Sequence, residues 1–152
     1  MISDGGFIRR GSGPCMLEEL TIPDGVIGID NECFAGSPLL KRVVLPPSVR
    51  EIGVGTFMDC PNLEEIMLPS GITRLRKQIF SGCTRLESVT VPETVTSIGE
   101  WAFRGCTNLQ LVVLPASVTE ICAESFLSCP KLELRAPAGS FAEDYASKFL
   151  VK

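Results

Sequence analysis

The chain contains no histidine. That absence removes Ser–His and Cys–His nucleophile pairs, histidine metal sites and imidazole proton shuttles together. Tryptophan and tyrosine occur once each, against eight phenylalanines. No apolar run approaches the roughly 18 residues that cross a bilayer. Charge is modest: 14 Lys+Arg against 18 Asp+Glu leave a formal −4, of the wrong sign for general attraction to nucleic acid or an anionic membrane. Cys-x-x-Cys, the phosphate-loop motif, Gly-x-Ser-x-Gly and zinc patterns are all missing, so neither a cofactor nor an enzyme class is indicated. Asn31, Asn62 and Asn108 all fail the glycosylation sequon, which neither supports nor excludes export.

What is present suits one folded domain. The 152 residues are 45% hydrophobic and 21% charged, enough to bury a core. Seven cysteines are an odd number and cannot all pair within the chain. The opening Met1-Ile2-Ser3-Asp4-Gly5-Gly6-Phe7 lacks a basic segment followed by an apolar one. The expectation is reduced thiols in a cytosol, with excision from a longer secreted protein as the alternative.

The cysteines belong to a repeat. Proline recurs at Pro23, Pro46, Pro69, Pro92 and Pro115, always 23 residues apart. Phe34, Phe57, Phe80, Phe103 and Phe126 keep the same interval, as do Leu17, Leu40, Leu63, Leu86, Leu109 and Leu132. Cys60, Cys83, Cys106 and Cys129 form a fourth column, with Ser37 in its first slot. A fixed period of this length indicates stacked units.

Within one unit, Leu86 to Asn108, each apolar position has a physical role. Val89 and Val91 share one face of a strand with period 2. Pro92 has no N–H and ends the pairing. Val95 and Ile98 turn the next edge of the coil inward. Glu100-Trp101-Ala102-Phe103 is expected to form a short helical turn that drops Phe103 into the core, and Gly105 and Cys106 to reverse the chain. One unit cannot bury these side chains alone; stacking neighbours does so, with a rise of about 4.8 Å.

Leu86 to Cys106 resembles the BspA-like leucine-rich repeat, L-x-x-I-x-I-P-x-x-V-x-x-I-G-x-x-A-F-x-x-C, almost letter for letter. The similarity spans residues 14–150. The segments Ile2 to Phe7 and Gly11-Ser12-Gly13 also resemble the leader of some members, and Gly139 to Ala142 a Gly-Ser-aromatic-Ala start to a closing helix. Departures are Ser37 in the cysteine column, and Arg76 and Cys122 in a slot that is glycine at Gly53 and Gly99. The resemblance implies an α/β repeat solenoid: a right-handed, curved leucine-rich-repeat horseshoe. It would have a parallel β-sheet on one face, short helical turns on the other and a C-terminal capping helix. It also implies recognition or adhesion rather than catalysis. It transfers no functional residues.

The expected organisation is one domain over 1–152. Residues 1–13 form a hairpin-like cap in which Ile2, Phe7 and Ile8 cover the first coil. Five 23-residue repeats fill 14–131. A shortened strand and a capping helix occupy 132–152. Ser140 and Glu143 have capping-box spacing, and Phe141, Tyr145 and Phe149 recur every four residues with Ala142 and Ala146 beside them, predicting an amphipathic helix over 140–150.

Candidate chemistry is sparse. The cysteine column could bring thiols within disulfide range, since rungs about 4.8 Å apart match a bridge's Cα separation. A row does not converge on a point as metal ligands must, so buried space-filling is the expected role. Of the other cysteines, Cys15, Cys33 and Cys122, the first is expected to be the most exposed. The solvent rows of the sheet are expected to be Glu19, Arg42, Glu65, Ser88, Leu111 and Thr21, Val44, Met67, Thr90, Val113. Val44, Met67, Leu111 and Val113 would make an apolar patch fit for binding, against the plain alternative of β-propensity. Arg74, Arg76, Lys77, Arg85 and Arg104 form a basic cluster, weighed against a solvated face. Glu18, Glu19, Glu64, Glu65 and Glu87 flank the sheet. Trp101 and Tyr145 are read as packing.

The expectation is therefore a non-catalytic module that binds a protein or other macromolecule through its sheet face. Nucleic acid and membrane are not expected partners, and a monomer or weak homodimer is expected. The rivals are a structural or self-associating scaffold and a fragment of a surface adhesin.

Overall fold

A computed structural model describes residues 5–150, with the side chain of residue 150 left aside. The expected contribution of Ile2 to the front cap lies outside the described residues. The chain winds as a parallel β-solenoid of about six turns. Each turn carries two short strands. Those of the first line are β2 (Glu19–Thr21), β4 (Arg42–Val44), β6 (Glu65–Met67), β8 (Ser88–Thr90), β10 (Leu111–Val113) and β12 (Glu133–Arg135). Those of the second are β1 (Phe7–Ile8), β3 (Gly28–Ile29), β5 (Glu51–Ile52), β7 (Arg74–Leu75), β9 (Ser97–Ile98) and β11 (Glu120–Ile121). Every pairing is parallel. The repeat sets the register, so that Arg42 lies between Glu19 and Glu65 and Val44 between Thr21 and Met67.

Strand alternation follows from the period of 2. In β4, β6 and β8 the middle residues Val43, Ile66 and Val89 are buried and their flanks exposed. The ladder is not continuous along either line. The first line divides into β2-β4-β6 and β8-β10-β12, and the second into β1-β3-β5 and β7-β9-β11.

The phenylalanine column stacks as the period requires. Ring centroids from Phe34 to Phe126 are 5.9, 6.0, 5.4 and 5.3 Å apart. Phe57, Phe80 and Phe103 are fully buried and Phe126 nearly so. Phe34 is only partly buried, because one side of its ring faces the front end of the stack. Leu17 departs further from its column and is 54% exposed, while Leu40 to Leu109 are buried.

The expected helical turn at Glu100–Phe103 is not a helix. It is a run of tight turns, with Ala102 N–H donating to Gly99 O and Arg104 N–H to Trp101 O. Trp101 has φ 59°, in the left-handed region, which stops a right-handed helix from propagating. Alternate amides point along the stack instead, as from Phe103 to Ser125 O and from Gly105 to Leu127 O.

At the front, residues 7–8 do not make a hairpin. They add a parallel rung, Ile8 beside Ile29, with Ile27 N–H bonded to Gly6 O and Asp30 N–H to Ile8 O. Gly28 makes this rung fit, since a Cβ there would collide with the Phe7 ring. At the back, β12 pairs with β10 at an offset one residue shorter than 23 (Leu111 with Glu133), and the helix α1 (Phe141–Leu150) follows. Ser140 Oγ accepts from Glu143 N–H at 3.1 Å, and the Glu143 carboxylate accepts from Gly139 N–H at 3.0 Å. This capping box takes the amide before Ser140 because Ser140 N–H already donates to Pro137 O. Ala142 and Ala146 are buried, and Tyr145 and Phe149 meet Phe126. Phe141 was expected on this face but is 46% exposed, because the contact stripe runs through 142, 145, 146 and 149.

Candidate functional site

The outward face of the first strand line is a charge ladder beside an apolar cleft. Strand alternation places Glu19, Arg42 and Glu65 in one row, and the parallel register sets them side by side. Arg42 reaches Glu65 at 3.2 Å and Glu19 at 3.8 Å. Lys41 meets Glu18 at 3.1 Å, and Arg85 meets Glu64 at 3.4 Å. All these side chains are about half exposed or more, so each pair contributes at most about 1 kcal/mol; their effect is to hold the row in one geometry.

The second row holds the apolar residues. Val44 and Met67 sit in direct register, 43% and 77% exposed. Just beyond them the chain parts. Elsewhere the residue after each strand bonds to the next coil: Ile22 N–H to Val44 O, Val91 N–H to Val113 O, Leu114 N–H to Arg135 O. Leu45 and Leu68 hold the same position without that bond, and both are only partly buried where Ile22, Val91 and Leu114 are fully so. The result is a cleft of about 430 Å³ lined by Val44, Leu45, Pro47, Met67, Leu68 and Pro69, with Arg42 and Glu65 at its polar edge.

Four of the eight residues expected to bind, Arg42, Val44, Glu65 and Met67, therefore share this cleft. The other four do not join it. Ser88 and Thr90 are exposed on β8, while Leu111 and Val113 are half-buried on β10, both strands across the interruption in the ladder. The apolar patch is thus two small patches with Thr90 between them. Leu45, Leu68 and Pro69 are not singled out for binding by the sequence because their repeat positions are core positions, and Pro47 because its slot, exposed in every coil, holds no recurring residue type. The one local signal was the doubled proline Pro46-Pro47.

The basic cluster also divides. Lys77 pairs with Glu100 at 3.5 Å and lies 5.1 Å from the Trp101 ring, with the Arg104 guanidinium 5.0 Å from that ring. Arg85 serves the charge ladder. Arg74 and Arg76 stand apart from these, beside Arg50.

The cysteine column is structural. Cys60, Cys83, Cys106 and Cys129 are buried, with free thiols. Each thiol donates to the phenylalanine carbonyl of the preceding coil: Cys60 to Phe34 O at 3.3 Å, Cys83 to Phe57 O at 3.1 Å, Cys106 to Phe80 O at 3.1 Å, Cys129 to Phe103 O at 3.0 Å. Ser37 makes the same bond to Phe34 O within its own turn. Burial pushes the Cys60 thiol up to about 11 and Cys83 well above its usual range. The neighbouring Cys129 thiol, by hydrogen bonding, and then burial hold Cys106 protonated far above neutral pH. Cys60, Cys83 and Cys106 are therefore poor nucleophiles, whereas hydrogen bonding with Cys106 pulls the buried Cys129 thiol below its usual range. Cys33 is buried too, and Cys15 and Cys122 are intermediate. Among the described residues no group of three or more cysteine or acidic side chains gathers where it could hold a metal ion. No helix among them is long and apolar enough to cross a membrane.

Comparison with known proteins agrees with the geometry. The model of the BspA type leucine rich repeat region matches residues 12–133 with six copies. A leucine rich cell surface protein from Faecalibacterium prausnitzii is similar in structure, with TM-score 0.82 and 36% identity over 90% of this chain and 36% of its own. The leucine rich repeat protein of T. pallidum has TM-score 0.80 and 36% identity, over 88% of this chain and 64% of its own. One from Bacteroides ovatus has TM-score 0.74 and 32% identity, over 78% of this chain and 33% of its own. The chain thus spans from about a third to just under two thirds of the length of these relatives. No curated protein matches it. None of these relatives supports the cytosolic location expected from the opening residues. With the repeat model covering most of the sequence and the rungs in register, the chain belongs to the family of BspA type leucine rich repeat proteins.

Proposed function

We propose that this chain is a non-catalytic binding module that captures a protein partner on the face of its first strand line. The cleft just beyond the ends of β4 and β6 is the anchor. The observation that carries this reading is the pairing of Met67, 77% exposed, with Val44 at the last rung before the chain parts at Leu45 and Leu68, inside a frame of ordered charges. Exposed large apolar side chains in a shaped recess are what partners bury as hot spots. Arg42, held between Glu19 and Glu65, supplies a polar rim. The strand face is preformed by its backbone hydrogen bonds, which keeps the ordering cost of binding low. Curvature of the solenoid would make this face concave, as extended repeat surfaces used for recognition are.

Surface display is the location this reading favours, supported by the relative named as a cell surface protein. A monomer, or at most a weak homodimer, is proposed. A shift to a stable dimer in light scattering would favour the scaffold reading instead.

The test compares wild type with Val44→Asp plus Met67→Asp as baits for proteins from the medium and envelope of the source organism. Each substitution puts an unpaired charge where the partner would bury an apolar group. Partners retained by wild type are expected to be lost by the double variant and kept by Thr119→Asp, whose exposed site lies on the second strand line side. Equal capture by both variants removes the cleft from the binding site.

A further inference from the structure

A second site lies on the other strand line, where β5 and β7 fail to pair. In the neighbouring coils two amides cross each such gap. Arg50 N–H donates to Ile27 O and Thr96 N–H to Thr73 O; Gly53 N–H donates to Ile29 O and Gly99 N–H to Leu75 O. Thr73 and Arg76 are the equivalent donors of the third coil. Neither makes such a bond to a described residue. Both residues line a cleft of about 230 Å³, together with Arg50, Glu51, Ile52, Gly71 and Arg74.

Three arginines are therefore among the residues that line one small cleft. Arg50 is anchored there: one terminal nitrogen donates to Pro47 O at 2.7 Å and to Val49 O at 3.4 Å. Gly71 makes room for it, because a Cβ at that position would strike the Arg50 guanidinium. No ion pair among the described residues takes up Arg50, Arg74 or Arg76. Among the lining residues, three arginines and one acid, Glu51, leave a local charge of 3 − 1 = +2 in a chain of formal charge −4.

We propose that this cleft binds a tetrahedral oxyanion, the phosphate or sulfate group of a ligand. Guanidinium forks match such oxygens two at a time. Unbonded backbone N–H groups facing a concavity add donors that no competing carbonyl satisfies. The local +2 matches a doubly charged anion. The cleft takes one group and lacks interleaved aromatics, which separates it from a nucleic-acid groove. The site is independent of the Val44–Met67 cleft: it stands on the other strand line, and failure of either leaves the other untouched.

The test uses the whole chain and two probes, inorganic phosphate and inorganic sulfate, at ionic strength held constant with sodium chloride. In a nitrogen–proton spectrum, the amide signals of Thr73 and Arg76 are expected to shift saturably and more than those of the first strand line. Arg74→Gln with Arg76→Gln should weaken the affinity about tenfold or more, the scale of losing a charged hydrogen-bond pair. Arg85→Gln with Arg104→Gln should leave it unchanged. Saturation by either ion supports the site, and the ion bound more tightly names the ester the natural ligand carries. A response that is unsaturable, spread over the surface, or equally lost in both double variants overturns it. The wild-type shifts decide the matter even if the Arg74/Arg76 variant does not fold.

Discussion

Two backbone positions in each of five successive coils lie in the left-handed region. One runs through Glu32, Gly55, Gln78, Trp101 and Glu124, with φ between 53° and 63°; the other runs through Gly36, Asp59, Gly82, Gly105 and Ser128, with φ between 56° and 77°. The conformation repeats even where the residue type does not. A side chain in this region costs about 1–2 kcal/mol. The turns tolerate it because their amides bond to the next coil, as from Gln78 to Glu100 O and from Asp59 to Ser81 O at 2.7 Å. At Gly105 a Cβ would meet nothing nearer than 3.9 Å, so conformation alone decides the outcome. Gly105→Ala should destabilise by about 1 kcal/mol, whereas Ser128→Gly, exposed and in the same slot, should stabilise by about 0.5 kcal/mol. Denaturant midpoints measure both, and a destabilised Ser128→Gly would contradict the account. These positions were half legible in the sequence: the glycines mark one slot in three coils of five, while Trp101 and Glu124 carry no mark, since neither favours such a backbone.

Elements here have no independent stability. Strands of two or three residues and tight turns hold because each coil covers the last, and the phenylalanine stack runs through that shared core. Phe80 is fully buried between Phe57 and Phe103, with centroids 6.0 and 5.4 Å away. Phe80→Ala should cost about 3–5 kcal/mol, the sum of lost transfer energy and a cavity that neighbours on both sides prevent from closing. A loss under about 1 kcal/mol in urea titration would place the ring elsewhere. The column was fully readable from the interval of 23. Its ends were not: Phe34 and Leu17 occupy the same repeat positions as buried residues but lack a preceding coil to cover them. The front rung and the shifted stripe of α1 were likewise hidden, because both depend on what the terminal segments lie against.

Across the whole molecule, buried thiols with raised pKa tie stability to alkaline pH, with Cys129, lowered by its hydrogen bond with Cys106, running the other way. An unfolded thiol ionises near 9.0, whereas in the fold burial pushes Cys33 and Cys60 up to about 11 and Cys83 well above its usual range. As pH rises past 9 the unfolded chain releases these protons first, so the folded state loses ground. Stability should be fully retained below about pH 9 and fall progressively toward pH 11 and beyond. Burial of Tyr145, also raised, adds to the same trend. Urea midpoints measured across this range test the direction, and a Cys60→Ala variant should show a shallower fall. A profile that is flat or rises with pH would contradict it. At neutral pH the four column thiols should resist labelling in the native protein because they are buried, while the half-buried Cys15 and Cys122 react first.

The period in the sequence was enough to establish the solenoid, the buried columns and the alternation along each strand, because a repeat without insertions forces like residues into like environments, and the capping-box spacing of Ser140 and Glu143 marked the closing helix. The charge ladder followed as well, since an offset of 23 sets Arg42 beside Glu19 and Glu65. The two clefts did not follow. They arise where coils that match in sequence part in space, at Leu45 and Leu68 on one side and at Thr73 and Arg76 on the other. Whether a rung closes or opens is a small difference between backbone hydrogen bonds and side-chain packing over several coils, and only the assembled stack sets its sign.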